Sequence, residues 1–429
     1  MTHRSLQVSS LARVEGEGAL EVVIENGEVL RTELQIYEPP RFFEAFLRGR
    51  RYTEVADITS RICGICPVAY QASAWQAVED ACGAGAVDAG IAALRRLLYC
   101  GEWISSHTLH VYLLHAPDFL GFPDAITLAN THRDIVERGL RLKKAGNAIL
   151  EAVGGRAIHP VNPRIGGFYR APTARDFVPL AEELRQARDD ALATVEWVAG
   201  FDFPDLELGH DLLAVYDPQH YAIETGRVVR SSGSTFPVEE FLDHVVERQV
   251  PHSTALQATL DGHAYLTGPL ARYTLNGAQL SPIAREAATA AGLGAACRNP
   301  FRSIVVRAVE TVYAVDEALR IIGEYERPDV PAAEVPPRAG VGHGVSEAPR
   351  GLLYHRYQLD ADGLIESATI IPPTSQNQAA IEDDLRRLVS GNIDLDDVAL
   401  TALCEQAIRN YDPCISCSTH FLDLRVIRR

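Results

Sequence analysis

The sequence predicts an α+β fold, mainly helical, with a core of long helices and small antiparallel sheets. Two observations carry that prediction. Apolar residues recur every three or four positions from Phe42 to Leu150 and again through the middle of the chain. Alternating, strand-like sequence bounded by turn residues is confined to stretches near the two ends. At 429 residues the chain exceeds an average domain, yet one extended helical core can absorb it. The expected plan is therefore a single domain: a β-hairpin region at 6–37, a mainly helical core at 42–326 and a C-terminal region at 345–420.

From Leu6 to Tyr37 the pattern alternates, and Glu25-Asn26-Gly27-Glu28 between Leu20-Ile24 and Val29-Ile36 signals a two-residue hairpin. In the helical stretch that follows, Pro67, Pro117 and Pro123 mark helix starts or breaks. Residues 154–170, rich in glycine and proline, read as a loop. Helical periodicity resumes over Thr173-Val198, Glu239-Glu247, Ala284-Ala296 and Ser303-Ile322. Residues 327–344, again rich in proline and glycine, read as an ordered loop or hinge. A second hairpin follows, Leu352-Leu359 and Leu364-Ile371 turning at Asp360-Ala361-Asp362-Gly363, and then two short helices.

Composition removes several classes of function. Forty lysines and arginines stand against 57 aspartates and glutamates, an excess of negative charge that argues against a nucleic-acid backbone as partner, which would call for a basic face. No apolar run approaches the roughly 20 residues of a membrane span. The N-terminus runs straight into strand-like sequence without a Sec or twin-arginine signal, which predicts a cytoplasmic protein not exported in its own right. Neither a Gly-x-Gly-x-x-Gly turn nor a phosphate-binding loop is present, so a nucleotide, if used, would bind another subunit.

Eight cysteines thinly spread over a long chain without a secretory segment fit a reducing compartment. Cys82, Cys100, Cys297 and Cys404 lie singly in apolar helical stretches and read as small buried hydrophobes. The other four form two Cys-x-x-Cys pairs, Cys63/Cys66 in Arg61-Ile62-Cys63-Gly64-Ile65-Cys66-Pro67 and Cys414/Cys417 in Asp412-Pro413-Cys414-Ile415-Ser416-Cys417. This spacing lets both thiolates of one turn face a single metal. Four soft ligands admit structural zinc, mononuclear iron, an iron–sulfur cluster or nickel, and spacing alone does not choose. Zinc modules draw their pairs from a compact stretch, whereas these pairs lie near opposite ends of the chain.

The residues around the pairs resemble the two signatures of the large subunit of nickel-iron hydrogenases, Arg-x-Cys-Gly-x-Cys near the start and Asp-Pro-Cys-x-x-Cys-x-x-His, completed by His420, at the end. Further matches are Arg13-Val14-Glu15-Gly16, Phe43-Glu44, His159-Pro160 with Arg164-Ile165-Gly166-Gly167, Ala348-Pro349-Arg350-Gly351 and Pro373-Thr374-Ser375-Gln376-Asn377. The resemblance implies that family's fold and a nickel bound by all four thiolates. Cys63 and Cys414 would be terminal ligands, while Cys66 and Cys417 bridge to an iron carrying carbon monoxide and cyanide. Dihydrogen is a very weak acid, so its cleavage is heterolytic and a nearby base must take the proton. The resemblance gives that role to the Cys414 thiolate, with Arg350 above the open metal position and Glu15 as the next proton carrier. Arg350 with Thr374, in the loops that contain Pro349 and Pro373, would donate to the cyanides, and Asp118 resembles the aspartate that pairs with this arginine. Glu44 and His420 would flank a magnesium.

Two positions depart from the family pattern: Tyr70 replaces a histidine four residues after Cys66, and Glu17 stands where many members have histidine. Tyr70 points to the soluble pyridine-nucleotide-linked hydrogenases sometimes called sulfhydrogenases. The partners implied are an iron–sulfur small subunit, NAD(P)-reducing diaphorase subunits and a maturation endopeptidase that removes the tail at 421–429. A hydrogen sensor with the same centre, or a non-catalytic metal or electron-transfer scaffold, are the alternative readings.

Overall fold

The computed structural model describes residues 3–419, apart from Leu208 and Ala222. The chain opens with three antiparallel strands, His3–Val8, Gly18–Glu25 and Glu28–Ile36, in that spatial order. The hairpin turns where the sequence indicates: Asn26 and Gly27 both take positive φ, 52° and 84°, as a tight two-residue turn requires.

The helix Ala89–Leu109 lies at the centre of the fold, packed on Arg133–Gly154 and Ser303–Glu324, and the last also packs on Val178–Ala199. Gly101 and Gly146 let the first two backbones touch, since a Cβ on Gly146 would lie 2.7 Å from the Ser105 nitrogen and 2.8 Å from the Gly101 carbonyl. Their fully buried leucines, isoleucines and valines belong to the main core, together with those of the helix Pro67–Ala81.

A second sheet near the C-terminus consists of Gly340–Ala348, Gly351–Leu359 and Ile365–Ile371, all antiparallel. The helix Pro67–Ala81 rests directly on it because Gly340, Gly342 and Gly344 alternate along the first strand and face the helix. A Cβ on Gly342 would lie 2.0 Å from the Ala77 carbonyl, and one on Gly344 2.1 Å from that of Ser73. The sequence suggests a loop through residue 344, because glycine reads as a breaker when its sheet partner is not visible. Here it marks close backbone approach instead.

Four further expectations change. The helix anticipated over 239–247 is one short turn, Phe241–His244, after which Val245–Gln249 pairs as a strand with Leu256–Leu260. The two adjacent valines favour the pleated conformation once a partner strand is available. The helix anticipated to Ala296 runs Pro282–Ala290 and stops before Gly292, at φ 68°. A four-stranded sheet ordered Tyr265–Leu266, Asp211–Tyr216, Arg227–Arg230, Thr235–Phe236 occupies a region expected to be helical. The two helices before the C-terminal cysteines, Pro373–Gly391 and Asp397–Asn410, are longer than anticipated.

Candidate metal centre

The two cysteine pairs meet in the core. Cys63 and Cys66 occupy the turn before the helix Pro67–Ala81, with Cys66 at its N-cap. Cys414 is the N-cap of the short helix Ile415–Ser418, and Cys417 lies within it. One sulfur from each of the four lies within 4.8 Å of the others, all four are buried, and none is in a disulfide. The Cys63–Cys414 and Cys66–Cys417 sulfurs are 3.5 and 3.7 Å apart. Those separations match the roughly 3.8 Å edge of a sulfur tetrahedron around a metal at about 2.3 Å. Cys414 and Cys417 lie closer, at 2.7 Å.

Several backbone ties hold the two ends of the chain together here. Glu15 and Cys414 form an isolated parallel β-bridge, and the Ile415 N–H donates to the Glu15 carbonyl at 2.9 Å. Gly16 takes φ 91°, and a Cβ there would lie 2.7 Å from that of Ile415, so the N-terminal turn fits against the C-terminal cysteine turn only as glycine. Arg41 donates to the carbonyls of Ile62 and Ser416, one in each cysteine turn. Glu102, fully buried, accepts from the Val68 and Ala69 N–H groups at 2.6 and 3.1 Å and so caps the helix that follows Cys66. Neither Arg41 nor Glu102 belongs to a motif visible in the sequence.

The polar surroundings are asymmetric. Burial pushes the Cys414 and Cys417 thiols up, whereas hydrogen bonds from Cys414, then Cys417 and Cys66, bring Cys63 well below the ordinary thiol range. Arg350 is 2% exposed; its Nε donates to the Asp412 carbonyl at 2.9 Å and its Nη2 to the Asp412 carboxylate at 3.2 Å. Burial opposes its charge, but Asp412, Cys414, Cys66 and Cys63 outweigh that and hold the guanidinium protonated. Its Nη1 is buried with no hydrogen-bond partner among the described residues, a donor left for a ligand at this centre. The Glu15 carboxylate is 3.0 Å from the Cys414 sulfur and accepts the Ser416 N–H at 3.0 Å. Four converging thiols, a spare guanidinium donor and an adjacent carboxylate suit a soft metal whose chemistry requires proton transfer.

Pro349 and Arg350 form the two-residue tip of the hairpin between Gly340–Ala348 and Gly351–Leu359. Pro373 opens the helix Pro373–Gly391, and the Thr374 hydroxyl oxygen accepts the Cys414 N–H at 3.0 Å. Tyr70 is fully buried; burial and the neighbouring Cys417, Cys66 and Cys414 push its phenol well up.

Asp118 does not pair with Arg350. It sits in the first turn of the helix Ala116–Leu120, where it pairs with Arg13 and takes a two-pronged contact from Arg409 at 2.7 and 2.8 Å. The partner of Arg350 is Asp412, two residues before Cys414. Both guanidinium–carboxylate pairs lie near the centre, and sequence spacing carries no information on which acid meets which base.

Glu44, in the helix Phe43–Leu47, accepts the Ile370 N–H at 2.7 Å, and burial pushes its carboxyl up to about 7. Glu247 is close enough to Glu44 to raise its own carboxyl further, to about 8, beyond the effect of burial. Two adjacent carboxyls made reluctant to ionise are a donor set that fits a hard cation. Glu247 was hidden in a stretch that reads as helix. His420 and the tail at 421–429 lie outside the described residues.

A sequence profile described as nickel-dependent hydrogenase matches residues 41–168. Sulfhydrogenase 1 subunit alpha of Pyrococcus furiosus is 34% identical over 423 residues, covering 98% of each chain. Sulfhydrogenase 2 subunit alpha of the same organism is 31% identical, covering 98% of this chain and all of that one. Among solved structures, an NAD+-reducing [NiFe]-hydrogenase in the H2-reduced state superposes with a TM-score of 0.86 at 26% identity, covering 97% of this chain and 99% of that one.

Proposed function

The chain belongs to the nickel-dependent hydrogenase family, and from that membership we propose that its four-cysteine centre is a nickel–iron site that cleaves dihydrogen heterolytically and reversibly. One observation carries the reading: four buried thiols meet within 4.8 Å, near a charged guanidinium with a spare donor and beside a carboxylate 3.0 Å from one sulfur.

Cys63, Cys66, Cys414 and Cys417 would hold the two metals, with Cys63 and Cys414 as ligands of nickel alone, Cys66 and Cys417 shared with the iron, and carbon monoxide and cyanide as the iron's remaining ligands. When bound, this centre supplies the electron-pair acceptor for one half of the hydrogen molecule. The protein supplies the rest. Cys414 takes the proton first, and Glu15 takes it from the sulfur, across a hydrogen bond short enough for direct transfer. Arg350, fixed by Asp412, presents its unpartnered Nη1 to the ligands of the centre, and the Thr374 hydroxyl, fixed by the Cys414 N–H, has its own proton to donate. Asp118 supports this arrangement indirectly, joining Arg13 of the Glu15 turn to Arg409 of the helix that leads to Asp412. Glu44 and His420 would hold a magnesium; the raised Glu44 carboxyl supports its part in that role, and His420 lies outside the described residues.

Electrons leave through an iron–sulfur small subunit and pass to NAD(P) on diaphorase subunits. The likeness to an NAD+-reducing hydrogenase supports that acceptor. The protein works in the cytoplasm as one domain of a hetero-oligomer, and an endopeptidase removes residues 421–429 after metal insertion. Infrared spectroscopy of the anaerobically purified protein tests the central claim. Sharp bands in the carbonyl and cyanide stretching region, with stoichiometric nickel, are expected. Zinc in place of nickel, without those bands, refutes it.

A further inference from the structure

The segment 267–272, Thr-Gly-Pro-Leu-Ala-Arg, lies in none of the motifs above, yet it touches both the Pro349-Arg350 turn and the helix that carries Thr374. Its last residue, Arg272, is fully buried in the helix Pro269–Asn276. A guanidinium has five N–H donors in a fixed fork, and all five are used here. Nε and one Nη2 proton go to the two Glu310 oxygens, each at 2.8 Å. One Nη1 proton goes to Glu347 at 3.0 Å. The remaining two go to the carbonyls of Ala348 and Pro349, both at 2.9 Å. Those carbonyls immediately precede Arg350. The guanidinium also stacks 4.5 Å from the centre of the Trp103 ring, and Trp103 in turn donates to the Glu347 carbonyl at 2.9 Å.

The start of the segment holds the other side of the same turn. Gly268 takes φ 112°, and a Cβ there would lie 2.6 Å from the Arg350 carbonyl, so the backbones approach closely. The Thr267 hydroxyl accepts the Leu352 N–H at 2.9 Å. The Thr267 backbone exchanges hydrogen bonds with the Asn377 side chain at 2.9 and 3.2 Å, and Asn377 lies one turn along the helix from Thr374. The Pro349-Arg350 tip is therefore held on both flanks, and the same clamp sets its distance from the Thr374 helix.

We propose that Arg272 is a positioning residue for Arg350, aiming its guanidinium at the metal centre through the carbonyls of Ala348 and Pro349, with Thr267 as the second jaw. The proposal rests on the reading of the four-cysteine site as a nickel–iron centre and of Arg350 as the group above it. A purely structural alternative exists, because a buried arginine between two glutamates also holds a core together. The two accounts differ in what happens to molecules that have folded and taken up metal. A structural role lowers stability and yield but leaves each loaded centre as it was; a positioning role changes the loaded centre.

The test uses the purified holoenzyme carrying R272K or T267V, with nickel content, infrared spectrum and hydrogen-dependent dye reduction measured on each. Lysine has three donors against the five used here and cannot reproduce the fork. Turnover per nickel in R272K should fall at least about tenfold, the scale expected when a reacting group is displaced by a fraction of an ångström. Its carbonyl and cyanide bands should shift from the wild-type positions. T267V keeps the charge cluster and loses only the bond to Leu352, and it should shift the same bands by less. If R272K yields no folded protein, T267V decides the matter by itself. Bands that coincide with wild type and turnover per nickel within about twofold overturn the proposal. Absence of the bands from the wild type overturns the hydrogenase reading, and the proposal with it.

Discussion

Replacing Glu15 with glutamine separates proton transfer from every other role of the site. The carboxylate is 3.0 Å from the Cys414 sulfur and accepts the Ser416 N–H at 3.0 Å. Glutamine has the same length, and its amide oxygen can still accept from Ser416, so the turn joining Glu15 to Cys414 stays intact. What glutamine lacks is a carboxylate oxygen that can take a proton from the sulfur and pass it on. A positioned acid–base group is worth about 100- to 10,000-fold in rate, or roughly 3–5 kcal/mol of barrier. The loss to folding is far smaller, since one hydrogen bond at a partly exposed site contributes about 1 kcal/mol. The expected result is normal nickel content, unchanged infrared bands and hydrogen-dependent dye reduction per nickel lowered at least about 100-fold. Glu15→Asp leaves a gap of about one methylene, ~1.5 Å, and should fall between the two. If Glu15→Gln retains more than about half of wild-type turnover per nickel, protons leave Cys414 by another route and the assignment fails.

Three other outcomes follow from the same geometry. Asp118→Asn leaves Arg13 and Arg409 charged and mostly buried around an amide, their side chains being 15% and 3% exposed. Such a break costs about 3–5 kcal/mol, and denaturant unfolding of the metal-free protein should record it; a loss below about 1 kcal/mol would contradict the buried triad. Glu224 is 9% exposed and burial pushes its carboxyl up to about 7. A raised carboxyl stabilises fully below the unfolded value near 4.5 and loses that contribution as pH rises through about 7. Wild type should therefore lose up to about 3 kcal/mol across that window relative to Glu224→Gln, and parallel stability–pH curves for the two proteins would refute the sign. Gly342→Ala places a Cβ 2.0 Å from the Ala77 carbonyl and 2.2 Å from the Ala81 nitrogen. The helix must lift off the sheet and take Cys63 and Cys66 with it, so nickel per chain should drop sharply; full loading would mean that the contact is not needed.

The four clustered cysteines were legible in the sequence because their signal is local. Two thiolates on one turn need only a three-residue spacing, and the first hairpin needs only Asn-Gly between alternating strands. The motifs around the cysteines also placed Arg350, Glu15 and Thr374 at the centre, where their contacts with Asp412 and Cys414 lie. Asp118 was found near the centre but given the wrong partner, since any buried carboxylate in range satisfies an arginine and only packing decides which. The glycines at 340, 342 and 344 read as a loop because the helix that requires them lies more than 250 residues earlier in the chain.

Local spacing and turn chemistry, properties of a few consecutive residues, thus determined the two cysteine pairs, the helical core and the hairpins. Tertiary structure alone decided the pairing of buried charges, the capping of the cysteine helix by Glu102, the tie from Arg41 to both cysteine turns and the five-donor clamp of Arg272. Each of these joins residues far apart in sequence. Their free energy arises only when the core excludes water and leaves a donor or a charge to find a partner within about 3 Å or go without.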